Sequence, residues 1–374
     1  MEYREGQLWI ARHAEWLVLF VLTAAVLSIY VPYNLRDPLL FVGLLAVYRE
    51  RHLIRVDAGL KHVVLLVLAY AVIFTVISTD PARSAKGAYD MARGMLVFFV
   101  GYLLASKLQD SSRFIAFTAM VVVVILLAFL LPQKTGHGET FYGYHLNPNN
   151  TAVSLAVYVI LCIPMVGNGR RKAGWLLSGV GIAVGAYLLL LANSRGAWLG
   201  MFGACMVILF VQMHVRRVQR LAISGVVAAV FLVVFLFANV KGASLSLRDQ
   251  IWLGLLNETL HSSPWLGFGL NCVKDVMVSL GLPTLTAHNL FLEIFVSSGV
   301  VGLAFMLFVM VVLVRHLLSF EYRRTAPFYM GIGGLVAYFL MAQFDLKMSS
   351  FRFMATMSLF LGLLYSQRLP RERS

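Results

Sequence analysis

In LTAHNLFLEIFVSSG, residues 285–299, a histidine and an asparagine, His288 and Asn289, stand directly before a long apolar run. The unperturbed pKa of histidine lies near neutrality, so at a water-facing helix end it can accept and return a proton. Thr286 is the expected cap of that helix, with His288 in the first turn. The plainer alternative is an interfacial histidine bonded to a backbone carbonyl. Glu293 follows five residues later, roughly 140° round the helix from His288, so it is expected to pair with an arginine rather than to orient the ring.

Four arginines raise the chemical interest. Arg195, in NSRGAWLG, opens another apolar run, with Ser194 as its expected cap. A guanidinium beside free helix N–H groups forms an anion site. Arg248 lies in LSLRDQIWLGLLNETL, residues 245–260, and Arg83 and Arg93 flank the start of the fourth apolar run of the chain. Pairing with Asp80, Asp90 or Asp249, or snorkelling of the stem, is the plain alternative for these side chains. Arg195 has no acidic neighbour in sequence. The segment YGYHLNPNNTA, 142–152, adds His145 and Asn149, the latter an expected helix cap, although most of this stretch reads as a polar turn.

Arginine grips phosphate with two parallel hydrogen bonds. Several arginines and a histidine on one side therefore point to a phosphate-bearing substrate and a proton transfer. No Walker loop occurs, and no His/Asp/Glu cluster has metal-ligand spacing on that side, so neither nucleotide nor metal nor other cofactor is expected.

The elements that must position these residues are helices in a bilayer. The chain has 374 residues, 60% hydrophobic and 13% charged, too apolar for a soluble domain. A spanning helix needs about 20 apolar residues. Twelve apolar segments are legible, at about 15–32, 36–48, 60–78, 89–106, 113–131, 150–167, 174–192, 196–213, 220–239, 288–314, 326–345 and 350–367. The second is short enough to be re-entrant. Backbone groups in lipid must be satisfied within a segment, so these are read as helices of one polytopic domain, 1–374. The first follows a charged N-terminus without a small-residue cleavage site and reads as a retained span.

The net charge of +14 comes from lysines and arginines in short loops, such as RERHLIR, GRRK, VRRVQR and EYRR, rather than from a basic arm for nucleic acid. These loops fall on one side, which is read as cytoplasmic together with both termini. The candidate chemistry falls on the other side. The longest stretch there is 240–287, in which 245–260 reads as an amphipathic helix on the outer membrane surface. Cys162 and Cys205 lie in apolar runs and Cys272 in that loop, so no intrachain disulfide is expected.

With these motifs in place, the chain resembles the bacterial O-antigen ligases, members of the wider O-antigen ligase and polymerase family. RGAWL at 195–199 fits the family's Arg-x-x-x-Leu, and HNLFLEIFVSSG at 288–299 has its His-Asn and following Gly. RDQIW…HSSPWLGFGLN, 248–271, resembles the family's arginine followed by a Pro-x-x-Gly-x-Gly turn. The resemblance implies an all-α integral membrane enzyme of the GT-C class, with about twelve spans and a helical periplasmic loop, in the bacterial inner membrane. It implies transfer of O-antigen polysaccharide from undecaprenyl diphosphate to a sugar hydroxyl of lipid A–core, on the periplasmic face and with no metal. His288 would be the base, Arg195 and Arg248 would hold the diphosphate, and Arg83, Arg93, His145, Asn149 and Asn289 are further candidate contacts. An O-antigen polymerase, or another oligosaccharyltransferase using undecaprenyl diphosphate, is the nearest alternative. A lipid or sugar transporter, the alternative outside enzymes, would carry charges near the bilayer midplane, where this chain is almost wholly apolar.

Overall fold

The computed structural model describes residues 2–30, 33–130, 148–167, 172–192, 194–212, 245–282, 287–343 and 350–369. The expected span 220–239, His145 and Thr286 lie outside the described residues.

The described chain is almost wholly helical. In order the helices are α1 (Glu2–Ser28), α2 (Tyr33–Arg49), α3 (Ala58–Val76), α4 (Pro81–Met95), α5 (Val97–Lys107), α6 (Ser111–Leu130) and α7 (Pro148–Gly167). There follow α8 (Lys172–Ala192), α9 (Arg195–Gln212), α10 (Leu245–Ser262), α11 (Val273–Ser279), α12 (Leu290–Leu318), α13 (Ala326–Ala342) and α14 (Phe351–Tyr365). Among the described residues, four stretches are long and apolar enough to cross a membrane: Ala58–Val76, Pro81–Lys107, Lys172–Ala192 and Leu290–Leu318. Six further apolar helices of the described residues are shorter. The chain is a multi-pass helical membrane protein.

Helix starts follow side-chain chemistry. Asp57 and Asp80 cap α3 and α4 by accepting from the Leu60 and Arg83 amides, and Pro81 takes the first position of α4, where no donor is needed. The fourth span therefore begins at Pro81, not near 89, and 79–88 is mostly helix rather than an outer loop. The Asp80–Pro81 start signal outweighs the polar composition of its first turns. Leu96 separates α4 from α5.

Packing is close where glycines meet backbone. Gly101 of α5 lies on the Leu359 carbonyl of α14, and Gly362 of α14 on the Phe98 carbonyl of α5. Small residues let helices approach in this way where lipid supplies no hydrophobic drive. α14 also packs on α4 and α13, α13 on α9 and α7, and α12 on α3. Segments expected on one face meet at one end. Asp57, His316 and Arg368 form a cluster there, and Tyr322 bridges to Arg368. Residues 78–84 meet 268–275 at the other end.

Candidate active site

The long apolar run after His288 is not one continuous helix. At Gly299 the backbone turns to φ 63, ψ −165, and α12 breaks into halves. Such a break leaves carbonyls and amides without helical partners, which is costly in a membrane. The Gly-rich turn after α10 supplies them. Phe268 N–H donates to the Val296 carbonyl at 2.9 Å and Gly269 N–H to that of Ser297 at 2.8 Å. Val300 N–H donates to the Pro264 carbonyl at 2.9 Å and Val301 N–H to that of Trp265 at 3.2 Å. The turn and the break are thus one joint. Gly267, at φ 65, lies against the Ser297–Ser298 backbone with no room for a Cβ.

The joint is also held from α3 and α4. The Thr79 hydroxyl donates to the Phe268 carbonyl at 2.7 Å, and that of Ser84 to the Leu270 carbonyl at 2.8 Å. Tyr70 of α3 donates to Ser298 Oγ at 2.9 Å. Arg83 pairs with Asp275 of α11 as well as lying 3.7 Å from Asp80. The apolar stripe of 245–260 serves the same assembly: Ile251 and Leu255 are buried with Val273, Val276 and Met277 of α11 and Val296 of α12. This face is occupied by protein, while Leu253 and Leu260 stay exposed.

The first half of α12 presents its N-terminus at this end. Asn289, not Thr286, is the cap, accepting from the Leu292 amide at 3.0 Å. His288 therefore precedes the helix instead of lying in its first turn, and it is half-buried with φ 52. The left-handed region is sparsely populated by non-glycine residues and so needs support from its surroundings. Trp252 of α10 provides a contact next door, donating its indole N–H to the Ala287 carbonyl at 2.9 Å. Arg248 is four residues before Trp252 on α10, one turn away on the same face, and half-buried. Glu293 is buried within the same half-helix.

Arg195 is the first residue of α9. The Ser194 carbonyl accepts from Trp198, but the Ser194 hydroxyl, buried, makes no hydrogen bond, so the expected side-chain cap is not formed. α9 packs on α13, and Phe339 of α13 meets Phe291 in the first turn of α12, ring centroids 6.1 Å apart. The ends of α9, α13 and α12 are connected in this way.

Other candidates stand apart. Arg93 lies in the last turn of α4 and donates to Asp37 and Asp90, 2.9 Å each, with Phe351 under its guanidinium at 4.5 Å. Arg36, which sequence reasoning passed over, pairs with the same Asp37 and lies 4.3 Å from the same ring. Asn149 is in the first turn of α7, since that helix begins at Pro148 rather than after an Asn149 cap. Trp252, Tyr70 and the break at Gly299 were also missed. Only the glycines carried a readable signal.

An apolar cleft of about 570 Å³ adjoins the site. It is lined by α3 and α12, by α13 and α14, and by α4 and α5. It runs from Arg93 and Leu290 at this end of the bundle to Leu60, Leu313 and Leu361 towards the other.

A family model described as O-antigen ligase matches residues 180–307. That stretch holds Arg195, Arg248, His288 and both partners of the glycine joint. No curated protein matches the chain.

Proposed function

We propose that this chain, whose residues 180–307 match the O-antigen ligase family model, transfers O-antigen polysaccharide from undecaprenyl diphosphate to a sugar hydroxyl of lipid A–core. The observation that carries the reading is the bond from Trp252 to Ala287. It fastens the helix bearing Arg248 to the residue before His288, at the N-terminus of a half-helix whose dipole favours an anion.

In this mechanism the His288 imidazole takes the proton of the acceptor hydroxyl. The oxygen attacks the anomeric carbon, a new C–O bond forms, and the bond from that carbon to the diphosphate oxygen breaks. The electron pair leaves with the diphosphate. Arg248 and Arg195 stabilise the charge that develops there, through two-pronged hydrogen bonds and without a metal. A single displacement inverts the anomeric carbon. The apolar cleft beside Leu290 suits the polyprenyl chain, since it extends along most of α12 and so beyond one leaflet. Arg93, Arg83, Asn149, Asn289 and His145 are contacts of lesser weight, Arg83 and Arg93 being engaged in ion pairs. The working face is periplasmic and the termini cytoplasmic.

The test is glycan transfer by purified protein in detergent with EDTA, using lipid-linked O-antigen and core-only lipopolysaccharide. Wild type should transfer with inversion, and a folded His288→Ala should not. Retention in the product, or a requirement for a divalent ion, overturns the mechanism. Elongation of lipid-linked repeats without transfer to core assigns the polymerase reaction instead.

A further inference from the structure

At the other end of the bundle, away from His288, α2 and α3 part to leave a second cleft, of about 720 Å³. Its walls are Leu44 and Val47 of α2, Val64 and Leu65 of α3, and Phe99 of α5. Its rim carries Tyr48, Arg51 and Lys61. Arg51 donates to the Tyr48 carbonyl at 3.0 Å and holds its guanidinium 4.3 Å from the Tyr48 ring centroid. Arg51, Tyr48 and Lys61 are exposed.

The charge at this rim is uncompensated. Among the described residues neither Arg51 nor Lys61 has a carboxylate within ion-pair reach. The two nearest acids in sequence are engaged elsewhere. Glu50 lies 3.8 Å from Arg49 and 3.7 Å from Lys107. Asp57 is taken by Arg368 and Tyr365 and has His316 at 3.2 Å. An apolar trough between spans, edged by an aromatic ring and two cations that have no carboxylate partner among the described residues, matches an amphiphile with a hydrocarbon chain and an anionic head.

We infer that this cleft is a binding site for an anionic glycerophospholipid, with an acyl chain between α2 and α3 and the phosphate on Arg51 and Lys61. The inference does not depend on the transfer reaction. The rim of the cleft lies at the opposite end of the bundle and includes none of the residues assigned to chemistry, although Val56, Val64 and Phe99 also line the cleft given to the polyprenyl chain. A soluble nucleotide or sugar is a poor fit, because apart from the rim the lining offers no polar side chain. The lipid would brace the turn at 50–57, whose short helix Arg51–Leu53 has no buried residue to anchor it.

The experiment is native mass spectrometry of the full chain in detergent, titrated with phosphatidylglycerol and phosphatidylcholine of identical acyl chains. Wild type should prefer phosphatidylglycerol, and raised salt should weaken the preference. Arg51→Gln with Lys61→Gln should reduce that preference about thirty-fold, two cations at the strength typical of basic residues near an anionic surface. Lys61→Arg should retain it, and so should Arg49→Gln, whose side chain sits outside the cleft lining. Leu65→Trp, which fills the trough at a position that lines this cleft and not the donor cleft, should lower binding of both lipids. Equal binding of the two lipids by wild type overturns the inference. So does an unchanged preference in the folded double variant, or an equal loss in Arg49→Gln.

Discussion

Trp252 donates its indole N–H to the carbonyl of Ala287 at 2.9 Å, and that bond joins the helix carrying Arg248 to the residue before His288. Ala287 is fully buried, so water is not at hand to replace the indole. A buried carbonyl left without a partner costs about 1–3 kcal/mol. The bond therefore has a positional consequence: it sets where α10 sits relative to the start of α12.

Trp252→Phe keeps most of the ring and removes the donor. The expected result is a fall of about tenfold in kcat/KM for glycan transfer, on the scale of one lost neutral hydrogen bond, with a fold intact by circular dichroism. Wild-type kinetics in this variant would show that the two segments are aligned by other contacts.

Gly299→Ala should lower the melting temperature in detergent. A side chain at φ 63, ψ −165 carries strain of about 1–3 kcal/mol. Its Cβ would also fall on the Trp265 carbonyl, which bonds to Val301. Scanning fluorimetry measures the shift. An alanine variant as stable as the parent would mean that the break relaxes into continuous helix at no cost.

Arg248→Lys preserves charge and loses the planar fork, so transfer should fall about tenfold or more. Arg248→Ala should fall by about 10²–10³, the range for removing one group that stabilises a leaving charge. Arg195→Lys and Arg195→Ala should follow the same order in the same assay. Full activity in Arg195→Ala would remove that residue from the site and leave the diphosphate to Arg248 and the α12 N-terminus.

Asp57 sets an acid limit on stability. Burial pushes its carboxyl up, but the Tyr365 hydroxyl, the Leu60 amide, His316 and Arg368 outweigh that and hold it below the ordinary value. With the folded value lower than the unfolded one, about 3.9, the contribution is complete above about 3.9. It is lost as pH falls through the lower folded value. Melting temperature should therefore drop on acidification below about pH 4. Asp57→Asn should lower it at neutral pH and shrink the acid-dependent part. An acid limb of unchanged size in Asp57→Asn would assign it to other carboxylates.

Apolar length and the one-sided distribution of lysine and arginine are local properties, so the multi-pass helical architecture and the grouping of loops by face could be read before any contact was known. His288, Arg195 and Arg248 were legible as residue types at helix ends for the same reason, and the matched family stretch contains all three. Helix starts were less so. A cap depends on which nearby side chain reaches the free amides, and Asn289 takes the role expected of Thr286 while Ser194 makes no such bond.

The remainder needed the tertiary structure, because it depends on segments distant in sequence. A glycine in an apolar run reads as tolerated helix until the Pro264–Gly269 turn is seen supplying partners to both sides of Gly299. Nothing near Arg93 in sequence indicates Asp37 or Phe351. Trp252 reads as one more member of an apolar stripe until Ala287 lies within reach of its indole. Hydropathy, charge bias and motif order are carried by neighbouring residues along the chain. A hydrogen bond between Trp252 and Ala287 exists only once folding has brought two helices to the same end of the bundle.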